Sequence, residues 1–138
     1  MVKLKQVSGK TLIKMYGQQI RNVHFSNCTF PSKACFVGSH FINCTFEKCT
    51  LTCQLWLATF DNCKFTECEF WHMRILDISL YDSTIEKSNF HFCYLRGISG
   101  GLITECELQF CEISKYSTQL ENYKMYNTVL HEPESDDI

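Results

Sequence analysis

Phe-Asp-Asn-Cys-Lys-Phe-Thr-Glu-Cys-Glu-Phe, residues 60–70, places a phenylalanine at every fifth position and a cysteine two residues before each of the last two. The spacing continues well past this stretch. Phe60, Phe65, Phe70, Ile75, Leu80, Ile85, Phe90 and Leu95 form an unbroken run of eight large apolar residues, five apart. A helix repeats at about 3.6 residues and a strand at about 2, so neither alone gives this period. A short fixed period is the mark of a repeat array, in which each unit buries its apolar face against the next.

The register extends in both directions. Large apolar centres fall at Ile20, Phe25 and Phe30, then after one inserted residue at Phe36, Phe41, Phe46 and Leu51. One residue is then missing, and the series resumes at Leu55 and runs to Leu95. After a break around Gly97–Gly101 it returns at Ile103, Leu108 and Ile113. Residues two before each centre are small or apolar, such as Val23, Ala34, Ser39 and Ala58, with Met73 and Ile78 as bulky exceptions. Nine of the ten cysteines stand two before a large apolar residue, and only Cys35 does not. The other three positions of each five carry nearly all the Asn, Asp, Glu, Lys and Arg. Two positions therefore face inward, one large and one small, and three face outward.

The segments Phe-Ser-Asn-Cys-Thr-Phe (25–30), Phe-Ile-Asn-Cys-Thr-Phe (41–46), Phe-Asp-Asn-Cys-Lys-Phe (60–65) and Phe-Thr-Glu-Cys-Glu-Phe (65–70) resemble the pentapeptide-repeat proteins. The likeness covers about residues 18–115. It implies an all-β fold, a right-handed quadrilateral β-helix with four five-residue faces per coil. The family favours Asp or Asn just before the centre, whereas this chain has Thr29, Thr45, Lys64 and Glu69 there. Coils in such a fold stack at about 4.8 Å. Counting four repeats per coil puts Phe25, Phe46, Phe65 and Ile85 in one ladder and Phe30, Leu51, Phe70 and Phe90 in another.

The expected organisation is a cap or edge over residues 1–19, a β-helix over 20–115, a short helix over 116–131 and a disordered acidic tail over 132–138. The helix rests on a capping-box pattern, Thr118-Gln119-Leu120-Glu121, followed by Leu120, Tyr123, Tyr126 and Leu130 at helical spacing up to Pro133. A further coil centred on Leu120, Met125 and Leu130 is the competing reading.

Composition narrows the function classes. A formal net charge of −2 on 138 residues gives no basic footprint for nucleic acid or an anionic membrane. No apolar run approaches the roughly 18 residues that span a bilayer. The start, Met1-Val2-Lys3-Leu4-Lys5-Gln6, has no apolar signal region, which points to a cytoplasmic protein with free thiols. The five-residue cysteine spacing follows the repeat, not the knuckle spacing of a zinc site, so core packing is the expected role and no metal or cofactor is expected. Such buried thiols should be slow to react. His24, His40, His72 and His91 fall at outward positions and His131 in the tail, with no nucleophile or metal-ligand spacing around them. The chain is therefore expected not to be an enzyme. Lys48, Glu67 and Lys87 should share one outward ladder of alternating sign.

Outward aromatic residues are the less ordinary feature. Trp56, Trp71, Tyr81, Phe92 and Tyr94 all occupy positions turned to solvent. Val37, Trp56 and Leu76 should share a ladder, with Trp71 on His91 and His72 on Phe92 beside it. Large exposed apolar patches mark contacts, and Trp and Tyr dominate interface energetics. Trp56, Trp71, His72, Leu76, His91, Phe92 and Tyr94 are thus the candidate partner-binding residues. Leu120, Tyr123, Tyr126 and Leu130 are the candidates for homodimerisation.

A protein partner is expected, with no direct nucleic-acid or membrane binding. Some pentapeptide-repeat proteins bind DNA gyrase or other type II topoisomerases, resembling B-form DNA in shape and charge. The resemblance implies that this chain could inhibit or protect such an enzyme, although its charge balance argues against strict mimicry. The rival reading is a self-associating scaffold without an enzyme target.

Overall fold

The computed structural model describes residues 3–13 and 18–133. The expected disorder of the tail beyond Pro133, and part of the expected N-terminal cap, fall outside the described residues. Four parallel sheets stack along the molecule, and the chain visits them in turn to make about six turns of a β-solenoid.

Sheet A stacks seven strands: Lys5–Ser8, Val23–Ser26, Thr45–Glu47, Lys64–Thr66, Thr84–Glu86, Leu102–Thr104 and Gln119–Glu121. Sheet B holds Thr29–Phe30, Thr50–Leu51, Glu69–Trp71, Asn89–His91, Glu107–Gln109 and Lys124–Tyr126. Sheet C holds Leu55–Trp56, Arg74–Leu76, Tyr94–Arg96, Glu112–Ser114 and Val129–Leu130. Sheet D, the shortest, holds Gln19–Arg21, His40–Ile42, Thr59–Asp61 and Ser79–Tyr81. The chain takes the faces in the order D, A, B, C. We number the coils so that Ile20 opens coil 1, Phe41 coil 2, Phe60 coil 3 and Leu80 coil 4, with Ile103 in coil 5 and Leu120 in coil 6. Among the described residues coils 5 and 6 have no D strand.

The period of five has a simple local cause. Three residues around each centre are extended, and the second residue after the centre turns the corner in the left-handed region, as at Asn22, Asn27, Asn43, Asn62, His72 and Phe92. Left-handed backbone suits asparagine better than other non-glycine residues. At the corner from D to A a side-chain ladder adds to this: Asn43 Nδ2 donates to Asn22 Oδ1 at 2.7 Å, and Asn62 Nδ2 to Asn43 Oδ1 at 3.2 Å.

Register and core follow the ladders read from the sequence. Phe25, Phe46, Phe65 and Ile85 are in-register neighbours on sheet A, and Phe30, Leu51, Phe70 and Phe90 on sheet B. Their rings stack, with centroids 5.0 Å apart for Phe25–Phe46, 4.3 Å for Phe46–Phe65 and 4.5 Å for Phe70–Phe90. The void among eight core side chains, Phe46 and Phe65 included, amounts to about 10 Å³, at the lower limit for holding one water. At the small inward position, Ser83 and Ser88 replace cysteine without leaving a polar group unpaired. Ser83 Oγ accepts from Cys63 N–H and donates to a backbone carbonyl, and Ser88 Oγ does the same beneath Cys68.

Coil 5 cuts a corner. Gly101 has φ +68°, and a Cβ there would lie 2.6 Å from Leu80 Cβ and 2.8 Å from the Leu80 carbonyl oxygen. Only glycine fits so close an approach. Sheet D ends there, with Ser99 making a single bridge to Ser79.

The short helix expected over residues 116–131 is not present, and no helix occurs among the described residues. Gln119–Glu121, Lys124–Tyr126 and Val129–Leu130 instead pair with coil 5 on sheets A, B and C. Thr118 is not a helix cap. It sits buried at the small inward position two before Leu120. Asn122 and Asn127 take the left-handed corners that a helix would forbid. Pairing with an open sheet edge outweighs a helical spacing that short segments cannot sustain alone.

Candidate functional site

The expected partner-binding residues come together on sheets B and C and the corner between them. On sheet B, Trp71 and His91 are register partners in coils 3 and 4, because each follows its Phe centre by one. Their rings stack with centroids 3.9 Å apart and planes within 12°. His91 is fixed from behind: its Nε2 lies 2.8 Å from Glu69 Oε2, while Asn89 Nδ2 donates to Glu69 Oε1 at 3.0 Å.

At the corner, His72, Phe92 and Phe110 hold left-handed backbones with φ of 51°, 55° and 54°. That conformation throws their rings outward into a column. His72–Phe92 and Phe92–Phe110 centroids are each 5.0 Å apart, with planes within 14° and 6°. Phe92 is 49% exposed and Phe110 53%. Bulky residues seldom occupy this backbone region, so the column carries a local conformational cost that Asn would avoid.

On sheet C, Trp56 and Leu76 are in-register neighbours, both half-buried. Trp56 Nε1 donates to the Arg74 carbonyl at 2.9 Å, which pins the indole against the sheet. The Arg74 guanidinium carbon lies 5.8 Å from the Tyr94 ring centre, a cation–π distance. Phe92, Tyr94, Phe110 and Val129 then line an open groove of about 400 Å³ that crosses the corner towards coil 6.

Two exposed corner residues and a set of histidine–glutamate pairs lay outside the sequence reading. Phe110 and Leu57, 53% and 61% exposed, belong to the corner positions, two after Leu108 and Leu55. The run of Asn at that same offset was the signal that could have found them. Three histidines also pair with glutamates one coil away: His24 with Glu47 at 3.6 Å, His91 with Glu69 and His131 with Glu112, both at 2.8 Å. Each pair joins residues flanking the centre on opposite sides, a diagonal that a straight-ladder count passes over. Lys48, Glu67 and Lys87 do share a corner position, but no ion pair joins them among the described residues. Lys64 pairs instead with Glu86 at 3.0 Å.

The four residues expected to form a dimer lie on coil 6. Leu120, Tyr123 and Leu130 are half-buried against the core, while Tyr126 faces outward from sheet B, 48% exposed. Among the described residues no strand follows coil 6, so its edge on sheets A, B and C is unpaired.

The cysteines line the interior. Nine are buried, and Cys35 is partly exposed on the outside of coil 1. Their titration is less uniform than burial alone would give. Burial pushes the Cys53 thiol up to about 12 and that of Cys106 to about 11. Cys44 and Cys111 fall to about 7, because Cys63 and Cys93 hydrogen-bond to their thiolates, and those two donors are raised in turn. The lowered thiols are nonetheless buried in the core, out of a reagent's reach. Among the described residues no group of three or more His, Cys, Asp and Glu is placed to hold a metal ion.

Comparison with known proteins bears on the architecture. No family model matches the sequence, and no curated protein matches it. Among solved structures, a trypsin-treated form of QnrB1, a plasmid-mediated fluoroquinolone resistance protein, superposes with a TM-score of 0.60 at 21% identity, covering 94% of this chain and 71% of that one. This is the pentapeptide-repeat fold. Rfr23, a pentapeptide-repeat protein from the cyanobacterium Cyanothece, matches 91% of each chain at 11% identity, with a TM-score of 0.30 that adds nothing to the first comparison. Likeness at this identity speaks for the coils and not for the surface they display.

Proposed function

We propose that this chain is a non-enzymatic binding protein that presents the B–C surface to another protein. One observation carries the reading: Trp71–His91 and His72–Phe92–Phe110 form two adjacent ring columns on the outside of a rigid frame. Residues that project from a solenoid contribute little to its core, and aromatic groups on a preformed surface bind with little loss of side-chain freedom. Such columns suit recognition better than stability.

The target in the specific version is a nucleic-acid-processing enzyme such as a type II topoisomerase, which the chain would inhibit or protect in the cytoplasm. The fold shared with QnrB1, a fluoroquinolone resistance protein, supports this version at the level of architecture. Acidic residues that could face a DNA-binding groove, Glu47, Glu67, Glu86, Glu105 and Glu121, share sheet A and its following corner with Lys48, Lys64 and Lys87. A supercoiling assay with purified gyrase tests it. The reading expects inhibition or protection at micromolar protein, weakened by added salt. An assay without effect removes the topoisomerase and leaves the B–C surface to another protein.

A second reading, self-association, draws on coil 6. Its unpaired edge and the exposed Met125 suit an end-to-end homodimer, which is compatible with partner binding on the sides of the rod.

A further inference from the structure

The missing residue between Leu51 and Leu55 leaves a mark on the surface. In coils 3, 4 and 5 the corner from B to C carries a left-handed residue, namely His72, Phe92 and Phe110. In coil 2 that corner has none among the described residues, since no left-handed position falls between Lys48 and Leu57. The corner column therefore starts at His72. Among the described residues its ring meets Phe92 and Trp71, and no ring stacks on it from coil 2.

Beside that open face is a notch of about 220 Å³ lined by Trp56, His72, Arg74, Gln54 and Thr52, with Cys53 and Met73 buried at its base. Whole small-molecule sites run to about 300–1,000 Å³, so the notch has room for one ring and little more. Trp56 is fixed by its bond to the Arg74 carbonyl and is a preformed wall. The Arg74 guanidinium rests over Tyr94 and makes no ion pair among the described residues, which leaves its charge available at the rim.

We propose that this notch receives a planar aromatic ring carrying or adjoining a carboxylate, which continues the His72–Phe92–Phe110 column by one rung. Its source is an aromatic side chain next to an Asp or Glu on the protein partner. A nucleic acid fits less well: phosphate binding draws on several cations along a track, and among the described residues Arg74 is the only Lys or Arg lining the notch. The proposal rests on the B–C surface being the binding surface, and names the group it grips.

The test uses the full chain and small probes, followed through the ring-proton signals of His72 and Trp56 by NMR. Indole-3-acetate is expected to give saturable upfield shifts at millimolar concentration, with plain indole binding about threefold more weakly. Arg74→Gln should reduce indole-3-acetate to the level of indole. His72→Asn, which suits the left-handed backbone, should abolish the shifts while leaving the fold intact. Tyr81→Ala, on sheet D away from the notch, should leave binding unchanged. The proposal is overturned by shifts that do not saturate, by cyclohexylacetate binding as well as indole-3-acetate, by no change in Arg74→Gln, or by adenosine monophosphate binding more tightly than the indole acid. A partner that is lost on Trp71→Ala while the probe fails to bind would sink the notch alone. Probe binding without any protein partner would sink the wider reading and keep the notch.

Discussion

Phe46 and Phe65 lie face to face across adjacent coils, ring centroids 4.3 Å apart and planes within 4°. Their contact is the unit from which the solenoid is built, since each centre on one coil is covered by its counterpart on the next. The same stacking geometry recurs outside at Trp71–His91, where no core requires it.

Removing one rung should therefore act through the whole array. Phe65 is 1% exposed, and Phe65→Ala should lower stability by about 3–5 kcal/mol in urea unfolding. Unchanged stability, or circular dichroism dominated by helix, would contradict the fold.

The corners offer the opposite experiment. Leu57 is 61% exposed with φ of 57°, and Leu57→Asn should stabilise the protein by about 1 kcal/mol by relieving left-handed strain. A loss of stability would mean that Leu57 packs against something beyond its own coil.

The same positions show what the repeat dictates and what it conceals. The period of five placed Phe46 on Phe65 and Trp71 on His91, because in-register stacking leaves the ladder partner no freedom. It did not place Phe110 on Phe92. The break at Gly97–Gly101 shortens the step from coil 4 to coil 5, so Phe110 meets Phe92 only when the count restarts at Leu108. The C-terminal segment misled for a related reason. Leu120, Tyr123, Tyr126 and Leu130 satisfy a helical spacing, while Leu120, Met125 and Leu130 satisfy the period of five, and only the open edge of coil 5 decides between them. The histidine–glutamate pairs stayed hidden because they run diagonally between rungs.

Thiol chemistry gives a pH test with a definite sign. Cys53 keeps its proton in the folded state up to about 12, against 9.0 for an ordinary thiol. Below pH 9 both states hold the proton and the contribution is fully present. As pH rises from about 9 towards 12 the unfolded chain loses the proton first, so stability falls. Thermal unfolding across this range should show a declining midpoint, and Cys53→Ala should flatten the decline. A Cys53→Ala slope identical to that of the wild type would contradict the assignment.

Native thiols should react slowly despite the lowered Cys44 and Cys111, with Cys35 first, since access and not ionisation limits the rest. A fast titration of most thiols before denaturation would show that the coils open readily.

Coil 6 bears on assembly. If its unpaired edge joins a second copy, light scattering should report a dimer, and Met125→Lys, at a residue 38% exposed on that coil, should give a monomer with unchanged circular dichroism. A dimer that survives Met125→Lys would move the contact to the Trp56 face.

The most direct test of the B–C surface is comparative affinity capture from lysate of the native host, with bound proteins identified by mass spectrometry. Three baits are needed: the wild type, the double variant Trp71→Ala/Phe92→Asn, and Tyr81→Ala on the unrelated face of sheet D. The account predicts one specific protein held by the wild type and by Tyr81→Ala and lost from the double variant, each central anchor being worth about 1 kcal/mol or more. A specific protein retained equally by all three baits, or none retained by any, would contradict it.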